Sequence, residues 1–188
     1  DEQKLVTELW LSLLAATFMI YALIAIPLRS YSQPLLIMSV IPFGMIGAIV
    51  GHIIMGKAIS MFSLFGLFAL AGVVVNDSLI MVDFINKARA QGVPVREAIL
   101  ESGAARFRAI ILTSFTTAAG LLPILFETSS QAQYVIPTVI SISFGIIFAT
   151  VITLLLIPSL YMLQLDVIKI FGRIKEWIMD HPSPVRSD

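Results

Sequence analysis

Residues 9–28 run for twenty positions without a single charged side chain. That length matches the roughly 20 apolar residues a helix needs to cross about 30 Å of hydrocarbon. Four further runs repeat the feature: Pro34–Gly56, with His52 as its one titratable group, about Ser60–Asn86, Ala109–Phe126, and about Val135–Met162. A bilayer offers no water to backbone amides, so spans of this length satisfy their own hydrogen bonds as helices. A soluble helical domain is excluded by arithmetic. Charged residues make up 13% of the 188 positions, about half the ordinary share, and five such runs leave too little polar surface to face water. The sequence therefore predicts an all-α integral membrane protein: a five-transmembrane-helix bundle, with the first span extending over about 5–28.

The twelve basic residues set an orientation. Arg29 follows the first run; Lys87, Arg89, Arg96, Arg106 and Arg108 separate the third from the fourth; Lys169, Arg173, Lys175 and Arg186 follow the fifth. With five crossings these ten share one side, and only Lys4 and Lys57 fall on the other. By the positive-inside rule the N-terminus lies outside the cytoplasm and the C-terminus within it. The segment between the third and fourth runs turns at Gly92 and Pro94. Val95–Arg108 then reads as a short amphipathic helix along the cytoplasmic interface, running into the fourth span. After the fifth span, Val167, Ile168, Phe171, Ile174 and Ile178 mark the apolar face of an amphipathic tail, with Trp177 suited to an interface, and 181–188 reads as disordered. The chain divides into a membrane segment, 1–165, and a cytoplasmic tail, 166–188. It opens on Asp1 and reads as a piece of a longer protein.

Net charge is zero, which gives no basis for nucleic-acid binding, and cysteine is absent, which removes disulfides and thiolate metal sites. His52 and His181 form no ligand cluster, and no nucleophile–base set, metal motif or phosphate loop marks an enzyme.

The chemistry instead concentrates in "AGVVVNDSLIMVDF", residues 71–84. Asp77 stands near the middle of the third span, where a carboxylate costs several kcal/mol and must be protonated, paired or turned toward water. Gly72, Asn76 and Asp83 share a helical face, and Ser63, Gly66 and Asp77 mark an adjacent one. Bland readings stand beside the functional one. Asp83, four residues before Lys87, fits an interfacial ion pair. Asn76 fits interhelical hydrogen bonding. In the fourth span Arg106, Thr113, Thr117 and Gly120 follow at steps of seven, four and three and line one face. Threonines can equally bond their own helix carbonyls, and an arginine there can be a plain positive-inside anchor. The glycines of "GMIGAIVG" (Gly44, Gly47, Gly51) and the small residues Ser141, Ser143 and Gly145 fit close helix packing. Pro42 and Pro123 kink their helices or begin a segment.

In this order and spacing, "PLLIMSVIPFGMIGAIVG", "GVVVNDSLIMVDFIN", "REAILESGAARFRAIILTSFTTAAGLLPIL" and "ISFGIIFATVITLLLIPSLYML" resemble the C-terminal membrane half of a resistance–nodulation–division (RND) efflux transporter, over about residues 5–165. The resemblance implies a proton-driven exporter of hydrophobic or amphiphilic compounds in the bacterial inner membrane. It implies the proton motive force in place of a cofactor. The partners it implies are the N-terminal membrane half and periplasmic domains of the same transporter, a homotrimer, the lipid bilayer, a periplasmic adaptor and an outer-membrane channel. It also implies a relay in which acids of the first half meet a Lys, an Arg and a Thr of the second. The Arg and Thr positions fall on Arg106 and Thr113. The Lys position falls on Asn76, and Asp77 stands where efflux pumps commonly carry Asn, so this sequence departs from the pattern at its centre. Either Asp77 joins the relay as an additional proton site or Asn76 suffices by hydrogen bonding. Asp83 and Thr117 are weaker members of the set. A membrane-integral protein-export factor and a non-transporting scaffold or sensor bundle of the same fold are the alternatives.

Overall fold

The computed structural model describes residues 2–180, and it is helical from end to end apart from short turns. Among the described residues six helices occur: α1 (Glu2–Leu28), α2 (Gln33–Met38), α3 (Ile41–Met55), α4 (Met61–Ala90), α5 (Val95–Leu125) and α6 (Ser130–Asp180). Four stretches are long and apolar enough to cross a membrane: Gln33–Met55, Met61–Ala90, Val95–Leu125 and Ser130–Ile170. α1 adds the apolar run Leu14–Leu28. The protein is an all-α membrane bundle.

Three features refine the helix boundaries that the sequence suggests. The second span is broken after Met38, because Pro42, in the first turn of α3, has no N–H to give to the carbonyl four residues earlier. Shorter bonds bridge the break, from Val40 N to Ile37 O at 3.3 Å and from Phe43 N to Val40 O at 3.0 Å. Pro42 thus begins a segment, whereas Pro123 lies inside the last turn of α5. Second, the amphipathic segment after Pro94 runs into the fourth span, as the sequence suggests, and the two form one helix of 31 residues. Third, the fifth span and the tail are likewise one helix of 51 residues, crossing position 165 without interruption. No glycine or proline interrupts either junction, so nothing in the backbone chemistry ends the helix there. The side chains of Phe171, Ile174, Trp177 and Ile178 and the whole of 181–188 lie outside the described residues, and with them the expectations placed on that apolar face and on disorder.

The turns follow from local chemistry. α3 stops at Gly56, whose φ of 61° suits a residue without Cβ, and Lys57 N donates back to His52 O at 3.1 Å. α4 stops before Gly92, φ 88°, where Val93 N reaches Ala88 O at 3.2 Å. Most of the basic residues gather beside the turn between α1 and α2, in the helix ends that flank the turn between α4 and α5, and toward the far end of α6; this end is called the basic side below.

α6 is the axis of the bundle and packs against α3, α4 and α5. Lipid is as apolar as leucine, so the helices are held by close fit rather than by exclusion of water. A Cβ built on Gly51 would lie 2.5 Å from Phe144 Cβ, and one on Gly66 would lie 2.6 Å from Thr138 O. Both are nearer than atoms can approach, so the glycines let α3 and α4 sit directly against α6. The core between them holds Val40, Leu70, Met81, Val82, Ile85, Ala98, Ile146, Ile157 and Tyr161, all buried.

Candidate functional site: the open face of α4 and α5

α4 and α5 run antiparallel, joined by the turn at Gly92–Pro94. Ser102 Oγ donates to Met81 O at 3.3 Å, and the Arg106 guanidinium carbon stands 5.4 Å from the centre of the Phe84 ring. These contacts fix the register of the two helices and place the Asn76–Asp77 turn at the depth of the α5 turns between Arg106 and Thr113.

The side chains at that depth are left open. Asn76 is exposed, Asp77 is half-buried, and among the described residues neither makes a hydrogen bond or ion pair. Gly72, on the Asn76 face, and Gly120, on the Thr113 face, have nothing within 4 Å of where a Cβ would stand. Arg106 is half-buried; its Nε is shielded from solvent without an acceptor, while its charge rests over Phe84. α4 and α5 therefore present a stripe of small and polar groups that the described residues do not cover.

The structure sorts the members of that stripe. Asp83 pairs with Lys87 at 2.7 Å across one helical turn, and both side chains are substantially exposed, as an interfacial ion pair requires. Thr113 Oγ1 donates to Ala109 O and Ile110 O, each at 3.0 Å, and Thr117 Oγ1 donates to Thr113 O at 2.7 Å. Both hydroxyls are occupied within their own helix. No hydrogen bond joins Asn76, Asp77, Arg106 and Thr113 to one another among the described residues. The adjacent stripe of Ser63, Gly66 and Asp77 is not uniformly polar. Gly66 is spent on packing against α6, and Ser63 Oγ accepts from Ser60 N at 3.0 Å while bonding His52.

Periodicity alone does not reveal two polar groups that the structure assembles. His52 is buried, with Nδ1 2.9 Å from Ala48 O and Nε2 2.8 Å from Ser63 Oγ. A carbonyl only accepts, so Nδ1 carries a proton and donates to Ala48 O, while Nε2 bonds the Ser63 hydroxyl. At the basic side Asn86 and Gln33 exchange two amide bonds, at 3.0 and 2.9 Å. The buried Tyr161 hydroxyl donates to Asn86 Oδ1 at 2.7 Å and accepts from Arg89 Nη1 at 3.0 Å. The available signal is a tyrosine, an asparagine and a glutamine at the ends of apolar runs, each with a polar group that hydrocarbon does not satisfy.

The sequence profile of the AcrB/AcrD/AcrF family matches residues 1–164. The chain belongs to this family of RND transporters. It is 34% identical over 162 residues to the multidrug resistance protein MdtC of Erwinia amylovora, covering 86% of this chain and 16% of MdtC. It is 32% identical over 156 residues to the swarming motility protein SwrC of Bacillus subtilis, covering 82% of this chain and 15% of SwrC. A crystal structure of a heavy metal efflux pump superposes with a TM-score of 0.77 at 26% identity, over 86% of this chain and 16% of the pump. The chain thus spans about a sixth of the length of the relatives it matches. The matched region takes in all four crossing stretches nearly to their ends, and with them every residue of the open stripe.

Proposed function

We propose that this chain is part of a proton-driven exporter of hydrophobic or amphiphilic compounds, in which it supplies one half of a transmembrane proton-coupling interface. Its family membership carries the transport reading, and the MdtC relatives, named for multidrug resistance, favour the substrate class. The observation that carries the coupling reading is Asp77: a carboxyl half-buried at mid-span, unpaired among the described residues, on a face that the bundle leaves open. An unpaired acid within hydrocarbon is costly, and fully packed helices do not retain one without use. Protonation removes its charge, and such a change alters the balance between alternative packings of the two membrane halves. Asn76 supplies hydrogen bonds without charge, Arg106 supplies the cation, and Thr113 offers a lone pair beside its own helix bonds. In this reading the first-half acids face this stripe, the N-terminus is extracytoplasmic, and the basic side faces the cytoplasm of a bacterial inner membrane. The periplasmic domains, the trimer, the adaptor and the outer-membrane channel belong to the same reading.

The test uses the intact parent protein in sealed vesicles under an imposed pH gradient, with wild type compared against Asp77→Asn. Loss of gradient-driven efflux at unchanged expression and assembly supports the coupling role. Unchanged efflux assigns the proton to the other half alone and makes Asp77 structural. Absence of efflux from the wild type itself, across a broad panel of compounds, overturns the exporter reading in favour of a scaffold or an export factor.

A further inference from the structure

α4, which carries Asn76 and Asp77, is fastened to α6 near both of its ends. At the end away from the basic side, Gly66 lies against the Thr138 backbone, and Thr138 Oγ1 donates to Phe62 O at 2.7 Å. At the basic side the fastening is the four-residue circuit of Gln33, Asn86, Tyr161 and Arg89. The two fastenings differ in extent. The first joins a close approach at Gly66 to one hydrogen bond. The second is a network of four hydrogen bonds, each lost if a donor turns away from its acceptor.

Asn86 is the hub of the circuit. Its Oδ1 takes protons from both Gln33 and Tyr161, and its Nδ2 returns one to Gln33, so one side chain ties α4 to α2 and to α6. Tyr161 is 1% exposed, and its hydroxyl is saturated by Asn86 and Arg89, with the Arg89 guanidinium also 5.9 Å from its ring centre. Apolar residues would fill the same space, yet they would let the helices turn past one another at little cost. A satisfied polar network in a low-dielectric setting specifies one arrangement.

Nine residues separate Asp77 from Asn86, which at about 100° per residue puts them on opposite sides of α4. The tie therefore holds the back of the helix whose front carries the carboxyl. A rotation of α4 by about 20° would carry that carboxyl about 2 Å, because side-chain ends lie about 6 Å from the axis. Such a displacement makes or breaks a hydrogen bond to the facing membrane half.

We propose that Asn86 is a positioning residue for proton coupling: through Gln33 and Tyr161 it fixes the rotation of α4, and with it the direction in which Asp77 faces. The proposal rests on the coupling reading given above and adds to it the residue that aims the carboxyl. Asn86→Leu removes all three bonds at similar bulk. Tyr161→Phe removes one hydroxyl and leaves the packing in place, so it keeps the test informative where Asn86→Leu fails to assemble.

The experiment measures two quantities on the full parent transporter. One is the pH profile of gradient-driven efflux of a fluorescent hydrophobic dye, Nile red, from sealed vesicles. The other is proton uptake by the purified protein, with the Asp77→Asn trace subtracted to isolate that carboxyl. Both variants are expected to move the uptake midpoint and the efflux profile in the same direction, by about half a pH unit, with the KM for dye within about twofold of wild type. Combining the two substitutions is expected to move them no further than Asn86→Leu alone, because both act through one circuit. A wild-type profile and midpoint in both variants, whatever the change in the amount assembled, overturns the proposal and leaves Asn86 a packing residue. If Asp77→Asn itself changes neither efflux nor uptake, the coupling reading has failed, and the positioning role fails with it. If Asp77→Asn acts and the Asn86 and Tyr161 variants do not, the positioning role alone is lost.

Discussion

Asn76 and Asn86 stand ten residues apart on α4, and their surroundings differ in every respect that matters to an amide. Asn86 has three hydrogen bonds to two neighbouring helices. Asn76 is exposed and has none among the described residues. The same contrast separates the titratable groups. His52 is enclosed and bonded through both ring nitrogens, while Asp77, at mid-span of α4, is half-buried and unpaired. Polar groups inside a membrane protein thus fall into two kinds. Those bonded within the bundle hold helices at fixed positions. Those left open on one stripe are free to meet groups outside the described residues, and the proposed coupling role of Asp77 rests on that second kind.

Substitutions at the two regions should therefore separate activity from stability. The largest effect is expected at Asp77. Asp77→Asn should reduce gradient-driven efflux by the parent transporter to the level seen without a gradient, while its thermal unfolding in detergent stays within about 1 kcal/mol of wild type, because no bond within the bundle is lost. A large loss of stability would erase the distinction between the two regions. Next comes His52→Leu, which removes the bonds to Ala48 and Ser63 together. It should lower stability by about 1–2 kcal/mol in the same unfolding assay and leave efflux per assembled molecule unchanged. Ser114 and Thr150 share a buried hydroxyl–hydroxyl bond of 2.6 Å between α5 and α6. Ser114→Ala should cost about 0.6 kcal/mol, the usual worth of such a bond between membrane helices. The smallest effect is expected at Asp83. Asp83→Asn breaks an exposed i,i+4 pair, should cost no more than about 0.5 kcal/mol, and should leave the efflux rate within about twofold. A loss of efflux there as deep as that of Asp77→Asn would bring Asp83 back into the coupling stripe.

The helices are legible in the sequence because hydropathy and length alone decide what can cross a bilayer. The breaks are less so. Pro42 marks the start of α3, yet only the structure shows that Gln33–Met38 stays a separate turn of helix. The continuity of α6 across position 165 shows the limit of reading segments by composition, since a helix changes its surroundings without changing its backbone. In the candidate site, periodicity groups Arg106, Thr113, Thr117 and Gly120 on one side of what the structure shows to be a single helix. It also sets Asp83 beside Lys87. It cannot say that Gly66 is spent on α6 or that Ser63 serves His52, because one helix's faces do not name its neighbours. The Gln33–Asn86–Tyr161 circuit is hidden for the same reason. Its members are 53 and 75 positions apart, and only the packing of α2 and α6 on α4 brings them together.

α6 has a mechanical consequence of its own. Its 51 residues form a rod about 77 Å long at 1.5 Å per residue, against a hydrocarbon core of about 30 Å. About three-fifths of the rod exceeds that thickness. The portion inside touches α3, α4 and α5 at once, so its inclination reflects the arrangement of all three. A change of about 10° in that inclination swings a free length of about 30 Å through about 5 Å at its tip. A helix pivoted in this way would turn a small tilt within the bundle into a larger displacement at its far end.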